Sequence, residues 1–124
     1  MKSYTDLEQS KKLAEFLPLE SADMYYTPPL VKGHTAYIPH LKRKFPIDWD
    51  IEQAIPCWSL TALLDVLPKN LDIGRPVLAT NYRGYYWVSY FDEYMKEKFT
   101  SKIYNNPIDA CCEMIIKLNE LKML

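Results

Sequence analysis

Glycine is scarce in this chain. Gly33, Gly74 and Gly84 are the only three and stand far apart, so no glycine-rich loop is available to cradle a phosphate. Histidine is scarcer, with only His34 and His40. There is no Gly-x-Ser-x-Gly elbow, no His-Glu-x-x-His pair and no paired-carboxylate constellation, so the common hydrolytic and metalloprotease arrangements are absent. Nor is there an excess of either charge. Fifteen Lys and Arg face 16 Asp and Glu, for a net charge of -1, which is not the basic footprint that a duplex binder needs. No run approaches the ~20 apolar residues that span a bilayer, and Met1-Lys2-Ser3-Tyr4-Thr5-Asp6 does not open a secretory leader. Three cysteines are an odd count, and Cys111 and Cys112 are adjacent. The expectation is a reduced, cytoplasmic protein with no membrane association.

What is present suits one folded unit. The chain has 124 residues, 48% hydrophobic and 25% charged, enough for a single α+β domain over residues 1–124. Ten Tyr, three Trp and four Phe form an aromatic excess that favours strands and half-buried surfaces.

Thr5-Asp6-Leu7-Glu8 fits a capping box with Thr5 at the cap, opening a helix to about Leu17 that Pro18 stops. Leu7, Leu13, Ala14 and Leu17 share its apolar face. Ala22 to Tyr26 and His34 to Ile38 are short strand candidates. His40 to Pro56, cut by prolines, reads as an irregular segment with a helical turn near Ile51 to Ala54. Ser59 caps a second helix with Leu60, Leu63, Leu64 and Leu67 as its stripe, and Trp58 staples onto Leu63. Val77 to Tyr82, Tyr85 to Phe91 and Phe99 to Tyr104 predict an antiparallel meander turned at Arg83-Gly84. Asn106, Pro107 and Asp109 open a last helix. Its stripe is Ile108, Cys111, Met114, Ile115, Leu118 and Leu121, and Glu113 and Lys117 are placed as an i,i+4 pair. The fold expected is three helices packed on a small antiparallel sheet, with a C-terminal meander followed by a C-terminal helix.

Each chemically interesting residue has a plain reading beside it. Cys57 precedes a helix, where a thiol can be activated, but a small buried hydrophobe is the better expectation. Cys111 and Cys112 lie on or beside an apolar stripe and poorly match zinc spacing, so they are expected to pack, with no metal and no cofactor. His34 and His40 are expected to be loop histidines. Lys42, Arg43 and Lys44 form the one basic cluster, but Asp48, Asp50 and Glu52 follow closely.

The strand Tyr85 to Phe91 is the most informative segment. One parity carries Tyr85, Trp87, Ser89 and Phe91 and the other Tyr86, Val88 and Tyr90, so neither reads as a polar, wet face. Either both faces are covered or one presents an aromatic patch of the kind that binds partners. Six of the ten tyrosines, Tyr82, Tyr85, Tyr86, Tyr90, Tyr94 and Tyr104, fall in this region.

Leu17-Pro18-Leu19-Glu20-Ser21-Ala22-Asp23-Met24-Tyr25-Tyr26, Ile55-Pro56-Cys57-Trp58-Ser59-Leu60 and Asn106-Pro107-Ile108-Asp109-Ala110-Cys111 together resemble a family of small uncharacterised proteins of gut anaerobic bacteria and their phages or mobile elements. The resemblance implies a mobile-element accessory context and carries over no site residue.

The function expected is therefore a non-enzymatic interaction module that binds another protein, with Tyr85, Tyr86, Trp87 and Tyr90 as its binding residues. Single-stranded nucleic acid, stacked on those rings with Lys42, Arg43 and Lys44 on its backbone, is the less favoured alternative. A thiol enzyme built on Cys57 is weaker still.

Overall fold

The computed structural model describes residues 2–28, 37–41, 54–69 and 74–124. The first helix, α1 (Leu7–Ala14), is capped by Asp6, not by Thr5. Asp6 Oδ1 accepts the Gln9 amide at 2.8 Å, and Gln9 Oε1 accepts the Asp6 amide at 3.1 Å. The capping box exists, one residue later than the sequence suggests, because the Thr5 hydroxyl is committed elsewhere. It accepts the Trp58 amide at 3.1 Å and shares a 2.8 Å hydrogen bond with Ser10 Oγ. The helix closes at Ala14, short of Leu17. Amides of Phe16 and Leu17 both return to the Leu13 carbonyl, and Ala14 is exposed while Leu13 is buried. A 3-10 turn, Leu19–Ser21, follows Pro18.

Among the described residues two sheets form, each of three antiparallel strands. The first has the order β2-β1-β3, from β1 (Met24–Thr27), β2 (Ile38–Leu41) and β3 (Ile55–Cys57). Of the stretch from His40 to Pro56 read as irregular, β2 takes His40 and Leu41, running through Pro39 where the sequence expected a stop, β3 takes Ile55 and Pro56, and residues 42–53 lie outside the described residues. Pro56 argues against a strand, yet among the described residues β3 pairs only with β1, and an edge tolerates a proline because no ladder bond is demanded on its outer side. Residues 51–53 of the expected helical turn lie outside the described residues, as do residues 34–36 of the expected return strand. Met24, Tyr26 and Cys57 face a small core with Tyr4, Leu7 and Ile55.

Helix α2 (Leu60–Val66) starts at Ser59, whose side chain accepts the Ala62 amide. Trp58 and Leu63 are both fully buried in one cluster, as the staple requires. The second sheet is the expected meander, β4 (Arg75–Thr80), β5 (Tyr86–Phe91) and β6 (Glu97–Thr100), in the order β4-β5-β6. Gly84 takes φ 79° in the first hairpin turn, where Asn81 Oδ1 accepts the amides of Arg83 and Tyr85. In the second, Asp92 Oδ1 accepts those of Tyr94 and Lys96. Strand β6 begins earlier than Phe99 and ends at Thr100, short of the expected Tyr104; the β5–β6 register shifts at Tyr90/Phe91, and Tyr104 rejoins β5 through an isolated bridge to Tyr86.

Helix α3 (Pro107–Glu120) is the longest element. Asn106 Oδ1 accepts the Asp109 amide at 2.9 Å. Ile108, Cys111, Met114, Ile115 and Leu118 are buried, joined by Ala110 and Cys112. Leu121 is exposed, because it lies past the helix end. Glu113 and Lys117 reach the end of β6 and the stretch after it in place of one another: Glu113 accepts the Lys102 amide, and Lys117 Nζ donates to the Thr100 carbonyl. The main core is built where α3 meets β5, α2 and α1. The architecture is thus α+β, with a C-terminal helix packed on the meander.

Candidate functional site

Strand β5 has two faces with different fates. Tyr86, Val88 and Tyr90 turn toward α3. Val88 and Tyr90 are fully buried and Tyr86 packs against the same cluster. The Tyr90 hydroxyl donates to the Pro68 carbonyl at 2.8 Å, and burial pushes its pKa up. Tyr90, named from the sequence as a binding residue, is a core residue, and Tyr86 is largely one too.

The opposite parity faces outward. The register sets Trp87 beside Ala79, Ser89 beside Val77 and Thr100, and Phe91 beside Arg75. The Tyr86–Tyr104 bridge places Ile103 next to Trp87. Val77 is 42% exposed, Tyr85 43% and Ile103 62%, while Trp87 and Phe91 are half-buried. In the middle, Ser89 Oγ bonds Thr100 Oγ1 at 3.1 Å and Glu97 Oε2 at 3.4 Å, so its polar atom is satisfied without water. The result is a partly exposed apolar strip, interrupted by the fully buried Ser89, on a sheet whose other face is filled. At the hairpin tip Tyr82 is 91% exposed, and Arg83 lies over its ring, 5.5 Å from the centroid.

The structure therefore brings together Tyr85 and Trp87 and removes Tyr86 and Tyr90 to the inner side. Lys42, Arg43 and Lys44 lie outside the described residues. Val77, Phe91 and Ile103 were missing from the sequence-derived set. Parity alone could have added Phe91. Val77 and Ile103 needed the cross-strand register, which short strands of uniform apolarity do not reveal.

Cys57 is fully buried. Its Sγ lies 3.4 Å from the Thr5 carbonyl and 3.5 Å from Thr5 Oγ1. Tyr26 also donates to that carbonyl, at 2.7 Å. Burial pushes the Cys57 thiol up, against the pull of its hydroxyl neighbours, which opposes a thiolate nucleophile at neutral pH. His40 offers no base. Tyr25 pairs with both His40 and Pro56, whereas Cys57 pairs with Met24, so imidazole and thiol lie on opposite faces of the sheet. The His40 ring stacks on Tyr25 at 5.1 Å, and its Nε2 bonds Thr27 Oγ1 at 2.9 Å. His34 is outside the described residues. Cys111 and Cys112 are buried, and burial pushes Cys111 up to about 12 and Cys112 higher still. Among the described residues, no group of three or more His, Cys, Asp or Glu is arranged to hold a metal ion, and no helix is long and apolar enough to cross a membrane.

The remaining polar cluster is structural. Lys2 Nζ lies 2.9 Å from Asp6 and 2.8 Å from Asp109. Asp109 also accepts from Gln9 Nε2 at 2.7 Å and from Asn106 Nδ2 at 2.8 Å. These contacts tie the N-terminal segment to the start of α3 and consume the carboxylate. No known protein family matches the chain, and no curated protein or solved structure matches it.

Proposed function

We propose that this protein is a non-enzymatic interaction module of the cytoplasm that binds another protein through the outward face of its second sheet. The observation that supports this reading is the strip of Tyr85, Trp87, Phe91, Val77 and Ile103. It lies open on a sheet whose inner face is occupied by α3. An aromatic strip that is wet when free and dry when bound is the composition of an interface centre. An accessory role in a phage or another mobile element belongs to the same proposal and rests on the sequence resemblance. The buried, proton-holding Cys57 thiol weighs against thiol catalysis.

Affinity recovery from the producing cells tests it, with variants that retain wild-type circular dichroism. Tyr85→Ser combined with Ile103→Ser should lose a discrete protein recovered by the wild type, and Tyr90→Phe should keep it. Equal recovery by the double variant would refute the placement. Recovery of nuclease-sensitive material in place of a protein would favour the stacking alternative.

A further inference from the structure

A groove of about 460 Å³ runs between the 3-10 turn and the end of α2, and it shares no residue with the outward sheet face. Its lining includes the apolar Leu17, Pro18, Val66 and Leu124 and the acidic Glu20 and Asp65. Among the described residues, no basic side chain lines it. The Ser21 hydroxyl proton is spent on the Pro18 carbonyl at 2.6 Å, and the oxygen accepts from Trp58 Nε1 at 3.0 Å. The groove's side chains therefore present acceptors and negative charge around apolar carbon.

Asp65 is also misplaced for helix stability. It occupies the last turn of α2, which holds no basic residue, whereas the negative end of a helix favours cations there. Lys69, just beyond, supplies a cation to the helix end by sending its ammonium to the Leu64 carbonyl at 3.0 Å, but it does not line the groove, so the two carboxylates there are left to other partners.

We propose that the groove docks a basic, apolar-flanked peptide segment of a partner protein. A lysine or arginine stem would lie on Leu17, Val66 and Leu124, with its charged head between Glu20 and Asp65. Such side chains cover apolar surface with their methylenes while the head group meets the carboxylates. The volume suits one long side chain and its immediate neighbours. This inference is independent of the function proposed for the sheet.

Amide chemical-shift titration of the full-length, isotope-labelled protein provides the test. The probes are a blocked Leu-Arg-Leu-Lys-Leu peptide, its Leu-Glu-Leu-Glu-Leu counterpart and butylammonium chloride. The basic peptide should shift the amides of Glu20, Ser21, Asp65 and Val66, and the acidic one should not. Binding of the basic peptide should weaken about five- to tenfold in the Glu20→Gln/Asp65→Asn variant, the scale of two solvent-exposed ion pairs. Both substitutions are at exposed positions, and the variant's own amide dispersion reports its folding. Absent shifts, shifts centred elsewhere, equal response to the acidic peptide or unchanged binding by the variant would each overturn the proposal. Equally tight binding of butylammonium would replace it with a small-amine site.

Discussion

Tyr90 and Tyr85 carry the same side chain to opposite ends, and the difference lies in what receives the hydroxyl. Tyr90 reaches the Pro68 carbonyl inside the core, while Tyr85 stands 43% exposed at the hairpin. Tyr90→Phe leaves that carbonyl without its donor and should cost about 0.5–1.5 kcal/mol in chemical denaturation. A neutral result would mean that water substitutes freely there. Ile115, fully buried on α3, should cost ~2–5 kcal/mol on truncation to Ala. A loss typical of surface positions would place the α3 stripe in solvent. The three thiols are all buried, and a thiol-reactive dye at neutral pH should label none of them rapidly until the protein is denatured. Fast labelling of Cys57 in the native state would revive the nucleophile reading.

Elements are held by their ends as much as by their faces. Gly74, immediately before β4, has φ 103°, and an added Cβ would sit 2.4 Å from the Phe91 carbonyl oxygen. Gly74→Ala therefore meets both a left-handed backbone and a backbone clash, and should cost roughly 1–3 kcal/mol or more. An unchanged denaturation midpoint would contradict the close approach of β4 to β5. The start of α3 carries a pH signature. Burial alone would raise the Asp109 pKa, but donors from Lys2, Asn106 and Gln9 pull it below its ordinary 3.8. A carboxyl depressed in the folded state stabilises fully above its unfolded value of about 4 and loses that contribution as pH falls through the folded value. In Asp109→Asn, stability should fall less steeply below about pH 4 than in the wild type. Identical slopes would show that this carboxylate is not tied to folding. Helix ends were the most legible elements, since Asn106-Pro107 and Ser59 are local signals. The Thr5 cap was misread because its competing partner, the Trp58 amide, is distant in sequence. Strand β3 was missed because whether Pro56 is tolerated depends on its being at an edge, which is a property of the assembled sheet.

At the scale of the whole molecule, α+β organisation and the meander followed from composition and turn residues. The division into two sheets did not, because short strands carry no mark of which partner they choose. The candidate surface was half legible. The aromatic richness of residues 85–91 pointed to β5, but only the packing of α3 determined which parity stayed outside. Both exposed and buried rings therefore occur in one strand, and a surface assigned to the whole strand mixes core with interface. The most direct test is to place a photocrosslinking amino acid at Ile103, on the outward strip, and in a second variant at exposed Lys12 on α1, each in the cells that naturally make the protein. The expected result is one discrete, protease-sensitive and nuclease-resistant adduct from position 103 and none from position 12. The same adducts from both positions, or none from position 103, would contradict a protein-binding surface on the second sheet.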